Sequence, residues 1–506
     1  MRGSDASDST SCIGNSEFGR AQPRIDNLES GRMSTPLAPT DLPSTLGALR
    51  ASSYEPKSVR EEIRANLEQR LADGLPLTSD VLGYEDTVLP QLETALLAGH
   101  DIILLGERGQ AKTRMIRSLV ELLDEWLPIV EGSEIRDDPF APISAYAIEL
   151  IDQNGEETPV AWIHRSQRFA EKLASPDTSM ADLIGEVDPI KVAGGLFLDD
   201  PKALSYGLVP KSNRGIFAMN ELPDLAERIQ VGLLNVLEER DVQIRGHLVR
   251  LDLDVMVVAT ANPEDYTNRG RLITPLKDRF GSQIRTHYPY ELTTEIAIMH
   301  QEAKLPMAPV PISVPWFIDD IVARVSHVAR KSHVISQSSG VSVRLSIANY
   351  EIVIANALRR TLRTKDSAVV PRVSDLSAMV QSTQGKIEFD TMDDSDSDQV
   401  IAALVSLAVR QCFAEHVLLE EGPEIVEAFN TEALVHTGDD LPDRDYLAVL
   451  AAMPALDAPA RRIAGPSASD GELASAVEFV LEGLYLTKRL AKDASGARAL
   501  YRSRNR

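Results

Sequence analysis

Residues 102–113 read IILLGERGQAKT, the most informative stretch of this chain. Its four leading apolar residues predict a short buried strand, and segment 114–123 beyond it has apolar residues at helical spacing. A glycine-rich loop that joins a strand to a helix and ends in Lys-Thr is typical of a phosphate-binding loop. Backbone N–H groups at the helix start can hold phosphates, the lysine adds positive charge, and the threonine hydroxyl can ligate Mg²⁺.

All eight residues of this loop are candidate nucleotide-binding residues: Gly106, Glu107, Arg108, Gly109, Gln110, Ala111, Lys112 and Thr113. Thr113 is also a candidate Mg²⁺ ligand. The loop departs from the usual pattern at one position, because alanine stands where a glycine usually precedes the lysine. We expect the Ala111 methyl group to lie in the first helical turn, where it is sterically tolerated.

A second apolar strand is predicted within residues 215–225, which read GIFAMNELPDL. In ATPases such a strand usually ends in Asp-Glu, whereas this one ends in Asn220-Glu221. The first position normally supports the Mg²⁺ coordination sphere, and the second orients and deprotonates the attacking water. Glu221 is therefore the candidate base. Asn220 is the candidate metal-supporting residue, because an amide oxygen can accept a hydrogen bond from a metal-bound water.

Three further candidates follow along the chain. The apolar strand predicted within residues 254–263 ends at Asn262, which could hold the attacking water or the γ-phosphate. Residues 272–281, LITPLKDRFG, place Arg279 on a short helix suited to reach the γ-phosphate of a neighbouring subunit. Residues 340–344, GVSVR, open a helix that carries Arg344. Taken singly, each feature is more often an ordinary strand or a surface arginine, but their order and spacing support a common role.

This ordered set resembles the AAA+ ATPases, and within them the magnesium-chelatase and MoxR group. The resemblance identifies the motifs as Walker A, Walker B, sensor 1 (Asn262), arginine finger (Arg279) and sensor 2 (Arg344). Segment 181–189 resembles the insertion of chelatase I-subunits, and segment 237–246 resembles the β-hairpin before sensor 1. A loop like the GAFTGA loop of sigma-54-type activators is absent from the sequence, so that class is not expected.

The resemblance implies an α/β fold: an AAA+ P-loop core with a central parallel sheet, followed by an α-helical lid and a helical C-terminal region. It implies ATP and Mg²⁺ as cofactors and a homo-oligomeric ring, expected to be a hexamer. The expected function is a motor ATPase with a MoxR-type chaperone role, working with a von Willebrand A domain protein. Two alternatives stay open because a fold does not dictate a function: a weakly hydrolysing scaffold subunit and a magnesium chelatase motor subunit.

The resemblance, together with composition and periodicity, implies the domain organisation. Residues 1–50 are expected to be disordered, 51–289 to form the ATPase core, 290–389 the lid with sensor 2, 390–399 an acidic linker and 400–506 a helical accessory domain. Lid helices are predicted at 291–304, 316–331, 342–363 and 373–386, and a C-terminal helix at 473–492. The mixed basic stretch 164–168 is interpreted as a solvated helix face.

Overall composition excludes several classes of protein. The formal net charge of −24 argues against general nucleic-acid binding, because neutralising phosphates needs clustered Lys and Arg. No stretch approaches about 18 consecutive apolar residues, so no membrane span is expected. Two cysteines, Cys12 and Cys412, are too few for a disulfide framework or a zinc site, and a reducing cytoplasm is the expected location.

Overall fold

The computed structural model describes residues 36, 38–197, 200–239, 251–262, 272–336, 340–389, 397–417, 422–430, 434–495 and 498–504. All of them except Pro36 belong to one compact unit, residues 38–506. Its helices are α1 Leu46–Ala51, α2 Val59–Ala72, α3 Val88–Leu97, α4 Lys112–Ser118, α5 Ala145–Asn154, α6 Met180–Leu183, α7 Pro189–Ala193, α8 Leu208–Lys211, α9 Glu227–Glu239, α10 Thr274–Arg279, α11 Leu292–Glu302, α12 Trp316–Arg330, α13 Arg344–Thr364, α14 Met379–Thr383, α15 Ser397–His416, α16 Gly422–Asn430, α17 Asp443–Ala452, α18 Pro454–Ala464 and α19 Asp470–Leu486.

The strands are β1 Ile102–Leu105, β2 Trp126–Val130, β3 Val160–His164, β4 Phe169–Leu173, β5 Gly185–Val187, β6 Leu204–Tyr206, β7 Gly215–Asn220, β8 Val255–Ala261, β9 Ser282–Arg285, β10 Val435–Gly438, β11 Leu490–Ser495 and β12 Arg498–Ser503. Two antiparallel pairs, β2 with β3 and β5 with β6, lie in the long connections between the main strands.

The central sheet has five parallel strands in the order β4-β7-β8-β1-β9. Strands β1, β7 and β8 are buried along their whole length, which explains why they are mostly apolar rather than alternating; Asn220 in β7 and Thr260 in β8 are the polar exceptions. Because the strands are parallel, their carboxyl ends lie at one edge of the sheet. The phosphate-binding loop, Glu221 and Asn262 follow β1, β7 and β8 at that edge. The predicted α/β core with a central parallel sheet is confirmed.

Apolar clusters cover both faces of the sheet. On one face Ile102 and Leu104 of β1 pack with α2, α3 and α4. On the other face Ile103 and Leu105 pack in a cluster that includes residues of α9 and α10. The alternation of β1 side chains between these faces therefore seats α4, which follows the phosphate-binding loop, directly against the sheet.

The helical lid forms as predicted, but it shares its core with the C-terminal region. Helices α11 to α13 and a 3₁₀ turn followed by α14 occupy the four predicted lid segments. One apolar cluster extends from Met299 in α11 to Tyr501 in β12. The fully buried Arg372 strengthens the junction, because its side chain donates hydrogen bonds to Asp443 and to the Leu441 carbonyl.

Three details of the predicted organisation differ from the structure. The end of the segment predicted to be disordered is ordered: α1 begins at Leu46, and both Leu46 and Leu49 are buried. Helix α15 begins at Ser397, inside the predicted acidic linker, whose residues 390–396 lie outside the described ones. The C-terminal region is not wholly helical, since α19 ends at Leu486 and β10, β12 and β11 form an antiparallel sheet. Cross-strand pairing between distant segments is invisible to helical periodicity.

The basic stretch 164–168 is not a solvated helix face. Arg168 is fully buried and forms two hydrogen bonds of 2.6 Å with Glu62 of α2. Residues 237–239 of the predicted β-hairpin belong to α9, while residues 240–246 lie outside the described part of the chain. Across the segments that the structure describes, none of the helices combines the length and apolar character needed to cross a membrane.

Candidate nucleotide site

The phosphate-binding loop connects β1 to α4, which begins at Lys112. Gly109 adopts a φ of 77°, a conformation that favours glycine. The side chain of Lys112 is buried, and its Nζ donates hydrogen bonds to the carbonyls of Gly106 and Glu107, the latter at 2.9 Å. The ammonium group is thus held over the loop, where an incoming phosphate can attract it away from the carbonyl dipoles.

The sequence predicts Ala111 in the first helical turn, but the structure differs. Ala111 is the N-terminal cap of α4, and its backbone is in the left-handed region. Its φ is 53° and its ψ is 14°. A left-handed conformation costs a non-glycine residue roughly 1–2 kcal/mol, because Cβ approaches the following carbonyl oxygen. Glycine adopts this backbone conformation without that cost, which explains why phosphate-binding loops usually have glycine at this position. Such strain at a loop is common where a ligand is bound.

A cavity of about 920 Å³ opens above the loop and brings several predicted residues together. Its lining includes Lys112 and Thr113 from the loop, Glu221 from the end of β7 and Arg344 from the start of α13. The core and the lid both contribute to this lining. The volume suits a nucleoside triphosphate, since ligand pockets usually measure roughly 300–1,000 Å³.

Tyr84 and His287 form one wall of the cavity. The Tyr84 hydroxyl donates to the Gln110 carbonyl at 3.0 Å and to the His287 carbonyl at 2.7 Å. Burial raises the pKa of Tyr84 well above its ordinary value, so the phenol stays protonated and acts as a donor. The His287 ring stacks on Tyr290 with centroids 4.2 Å apart. Tyr84 thus holds the phosphate-binding loop, and the aromatic rings offer a surface on which a nucleotide's purine or pyrimidine ring could stack.

Two residues after β9 support the loop and were missed in the sequence. The Thr286 hydroxyl donates to the Gln110 side-chain oxygen at 2.6 Å, and that oxygen also accepts the Glu107 N–H at 3.0 Å. The Tyr288 hydroxyl donates to the Arg108 carbonyl at 2.9 Å. Burial, and then the nearby Glu107, raise the pKa of Tyr288. Only the pairing of β9 with β1 brings these residues to the loop, so no local sequence signal indicates them.

Glu221, the candidate base, has an unusual backbone conformation. Its φ of 53° lies in the left-handed region, and its N–H donates to the Thr260 hydroxyl of β8 at 3.0 Å. Glu221, at this turn after β7, lines the same cavity as Lys112. Asn262 directly follows β8 and is 6% exposed, beside the loop whose Gly106 N–H donates to the Ala261 carbonyl. The predicted base and sensor 1 residue therefore both lie at the carboxyl edge of the sheet.

Asn220 makes contacts that differ from its predicted role as a direct support for the metal. Its side-chain oxygen accepts the Thr260 hydroxyl at 3.3 Å, and its amide nitrogen donates to Glu171 of β4 at 2.5 Å. Glu171 also accepts two hydrogen bonds from Arg117 of α4, at 2.8 and 3.2 Å. The hydrogen bonding of Arg117 to the Glu171 carboxylate raises the pKa of Arg117. Glu171 was missed because nothing in the sequence of β4 marks it.

The two candidate arginines lie in different places. Arg344 lines the cavity, and the loop before it packs on the phosphate-binding loop: a Cβ at Gly109 would meet the Ser342 hydroxyl at 1.8 Å. Arg279 ends α10 and is absent from the described cavity lining. Its side chain is 38% exposed, with Asp278 at 3.7 Å. Arg344 therefore lies at the cavity and Arg279 outside its described lining, and the role across a subunit boundary stays a prediction for Arg279.

The site fits a magnesium ion that arrives with its nucleotide. In the described parts of the chain, no three or more His, Cys, Asp or Glu side chains are arranged to hold a metal ion by themselves. Mg²⁺ at nucleotide sites is typically bound by one or two protein groups together with phosphates and water. Thr113 in the cavity lining offers one oxygen ligand of this kind, and the buried Lys112 beside it offers positive charge to the phosphates.

Comparisons with known proteins found similar sequences, including a family whose activators were not expected from the sequence. A sequence model of the Sigma-54 interaction domain family matches residues 192–280. The magnesium-chelatase 38 kDa subunit of Rhodobacter capsulatus is 26% identical over 254 residues, which are 49% of this chain and 66% of that protein. Subunit ChlI of the magnesium chelatase of Guillardia theta is 30% identical over 212 residues, covering 40% of this chain and 55% of that protein.

A solved structure of the complex between subunits BchI and BchD of magnesium chelatase matches with a TM-score of 0.32 and 19% identity, covering 65% of this chain and 94% of that chain. A TM-score this low carries no argument, so the assignment depends on the sequence relatives and the site. The chain spans less than two thirds of the length of the two relatives above.

A parallel sheet with a phosphate-binding loop after β1, an acidic residue after β7 and a helical lid over the cavity define a P-loop protein of the AAA+ class. Within that class, the sequence relatives are subunits of magnesium chelatases. In sequence the chain is therefore similar to the magnesium-chelatase group of AAA+ proteins.

Proposed function

We propose that the chain is an ATP-hydrolysing AAA+ motor that works in a ring. The observation that carries this proposal is the single cavity lined by Lys112, Thr113, Glu221 and Arg344. Lys112 and the loop N–H groups would bind the β- and γ-phosphates, and Thr113 would ligate Mg²⁺. The bound metal would neutralise the charge that develops on the phosphates during hydrolysis.

The remaining candidate residues have roles that follow from their positions. Glu221 would take a proton from the attacking water, and Asn262 would orient that water. Arg344 would couple the nucleotide to the lid, because it stands at the start of α13. Arg279 would reach the γ-phosphate of the neighbouring subunit, which requires the ring. A chaperone of the MoxR type, acting on a von Willebrand A domain protein, is the function that we propose for this motor.

The test compares Lys112→Ala with Glu221→Gln in purified full-length protein. We expect Lys112→Ala to lose binding of a fluorescent ATP analogue, because the buried ammonium group is removed. Glu221→Gln should bind the analogue normally yet hydrolyse ATP at least about 100 times more slowly, as expected when a general base is removed. Glu149→Gln, which also removes a carboxylate charge but from an exposed ion pair with Lys202, is the matched control.

The outcomes separate the motor from the scaffold alternative. Unchanged steady-state hydrolysis by Glu221→Gln would remove Glu221 as the base. Wild-type protein that binds ATP but never hydrolyses it would favour a nucleotide-binding scaffold.

The second candidate function is a motor subunit of a magnesium chelatase, and the names of the sequence relatives favour it. In that case the chain should support ATP-dependent insertion of Mg²⁺ into a porphyrin when mixed with the other subunits of such an enzyme. Lys112→Ala should abolish the insertion. Absence of insertion, with ATP hydrolysis by the wild-type protein intact, would leave the chaperone motor as the better proposal.

A further inference from the structure

Glu171 is a carboxylate that directly contacts Asn220, the residue that stands where the usual aspartate is missing. It accepts a hydrogen bond from the side chain of Asn220 at 2.5 Å. The two residues lie on neighbouring parallel strands, since Glu171 of β4 is in register with Ala218 of β7. Asn220 lies two residues further along β7, on the same face of the sheet. A negative charge is therefore present beside Asn220, although it comes from another strand.

Helix α4 brings the phosphate-binding loop to the same face. Its residues Met115 and Ile116 pack in one cluster with Ile216 and Ala218 of β7. Arg117 of α4 reaches Glu171 with two hydrogen bonds. Thr113 lies four residues before Arg117, and residues at this spacing share one face of a helix. Glu171 therefore contacts the face of α4 on which Thr113, the candidate magnesium ligand, also lies.

The contact between Arg117 and Glu171 leaves this carboxylate available to a metal ion. The Arg117 side chain is 64% exposed, and exposed ion pairs typically contribute roughly 0–1 kcal/mol. A divalent ion attracts a carboxylate more strongly than a solvated guanidinium does, because it carries twice the charge on a smaller ion. The contact from Asn220 is less easily lost, since that side chain is only 8% exposed and is also bonded to Thr260.

We propose that Glu171 supplies the carboxylate that supports the nucleotide-bound magnesium ion, and that Asn220 is its positioning residue. The Asn220 amide directs its N–H group at Glu171, so the pair replaces the aspartate that other ATPases place at the end of β7. Glu171 would act on the metal-bound water rather than replace Thr113 as a ligand. This inference rests on the proposed function, because the metal arrives with ATP.

The experiment measures binding of a fluorescent ATP analogue by the full chain, first in EDTA and then as free Mg²⁺ is raised. Glu171→Gln should need roughly tenfold or more Mg²⁺ for the half-maximal gain in affinity, the usual effect of losing a carboxylate that acts through a metal-bound group. Its affinity in EDTA should stay within about twofold of wild type, since the metal is absent there. Glu171→Asp, which keeps the charge, should have an intermediate effect, and Glu149→Gln none.

A purely structural role for Glu171 predicts a different pattern. Affinity in EDTA and thermal stability would then fall together, and the Mg²⁺ requirement would not change separately. Either that result or an unchanged Mg²⁺ requirement in Glu171→Gln would overturn the inference.

The double variant Glu171→Gln/Asn220→Asp tests whether the two positions share one function. A carboxylate restored at the end of β7 should return the Mg²⁺ requirement towards the wild-type value. If the Mg²⁺ requirement of the double variant stays as high as that of Glu171→Gln, the inference that Glu171 and Asn220 together replace the aspartate is wrong. Failure of wild-type protein to bind the analogue at any Mg²⁺ concentration would instead contradict the proposed function, so the two failures are distinguishable.

Discussion

The ion pair between Glu62 and Arg168 allows a prediction whose size follows from the structure. Glu62 lies on α2, and Arg168 immediately precedes β4, the strand that carries Glu171. The Arg168 side chain is completely buried and that of Glu62 is 3% exposed. Arg168 also donates from Nε to the Arg214 carbonyl just before β7 at 2.8 Å. The pair therefore joins α2 to the starts of two neighbouring strands.

Glu62→Ala leaves the Arg168 guanidinium buried without its carboxylate partner. The Arg168 side chain donates three hydrogen bonds. Glu62→Ala removes the two of 2.6 Å to Glu62 and leaves only the one to the Arg214 carbonyl. Removing one partner of a buried pair typically costs about 3–5 kcal/mol, because the remaining charge is uncompensated. Glu62→Gln should cost less, since its side-chain oxygen can still accept one hydrogen bond from Arg168.

The assay is urea unfolding followed by tryptophan fluorescence, to which Trp126 and Trp162 on the paired strands β2 and β3 and Trp316 of α12 contribute. The change in the free energy of unfolding follows from the shift in midpoint and the slope. The control is Glu156→Ala, which removes a carboxylate from an ion pair whose side chains are 52% and 57% exposed, and should cost under about 1 kcal/mol. A loss in Glu62→Ala no larger than that of the control would refute the reasoning.

Two further predictions concern the subunit boundary and the pH dependence of stability. Arg279→Ala should bind ATP normally but hydrolyse it about tenfold or more slowly, and mixing it with Lys112→Ala protein should partly restore turnover. No recovery in rings shown independently to be mixed would contradict action across subunits. The hydrogen bond to Asp319 raises the pKa of His300 above its usual value of about 6.5. The contribution of protonated His300 to the free energy of unfolding is therefore complete below about pH 6.5 and is lost as the pH rises through the raised pKa. His300→Gln should flatten this dependence, measured as melting temperature against pH. The effect should be under about 1 kcal/mol because the side chain is 47% exposed, and an unchanged slope would contradict it.

The lid and the C-terminal region share one continuous apolar core. In the proposed motor, a movement of the lid would therefore also move the C-terminal region. Arg344 stands at the start of α13, a helix of 21 residues that contributes Tyr350 and Val353 to this core. The buried Arg372 ties the same core to Asp443 before α17. A movement of Arg344 on nucleotide binding would therefore be passed to a single packed body rather than to a separate appendage.

The strain at Ala111 and the contacts of Asn220 both show where local pattern misleads. The sequence places Ala111 next to a helix, and helical geometry there would make alanine harmless. The structure places it in the left-handed region instead, because α4 begins one residue later. Asn220 likewise has the right position for a metal-supporting residue, yet its amide nitrogen faces Glu171.

The sequence by itself was sufficient for features whose cause is local. An apolar run before GERGQAKT, the polar residues at or just after the ends of β7 and β8, and the helical spacing of the lid each follow from a few neighbouring side chains. These motifs supported the family resemblance, which in turn implied the parallel-sheet core. The carboxyl ends of parallel strands must meet, which also brought Lys112 and Glu221 to one cavity.

Tertiary structure alone decided the features that join distant segments. Glu171 lies 49 residues before Asn220, and Glu62 lies 106 residues before Arg168. The sheet of β10, β11 and β12 also pairs segments that helical periodicity cannot connect. A single sequence records which residues can form a strand, but not which strand lies beside it, because pairing depends on how the whole core packs.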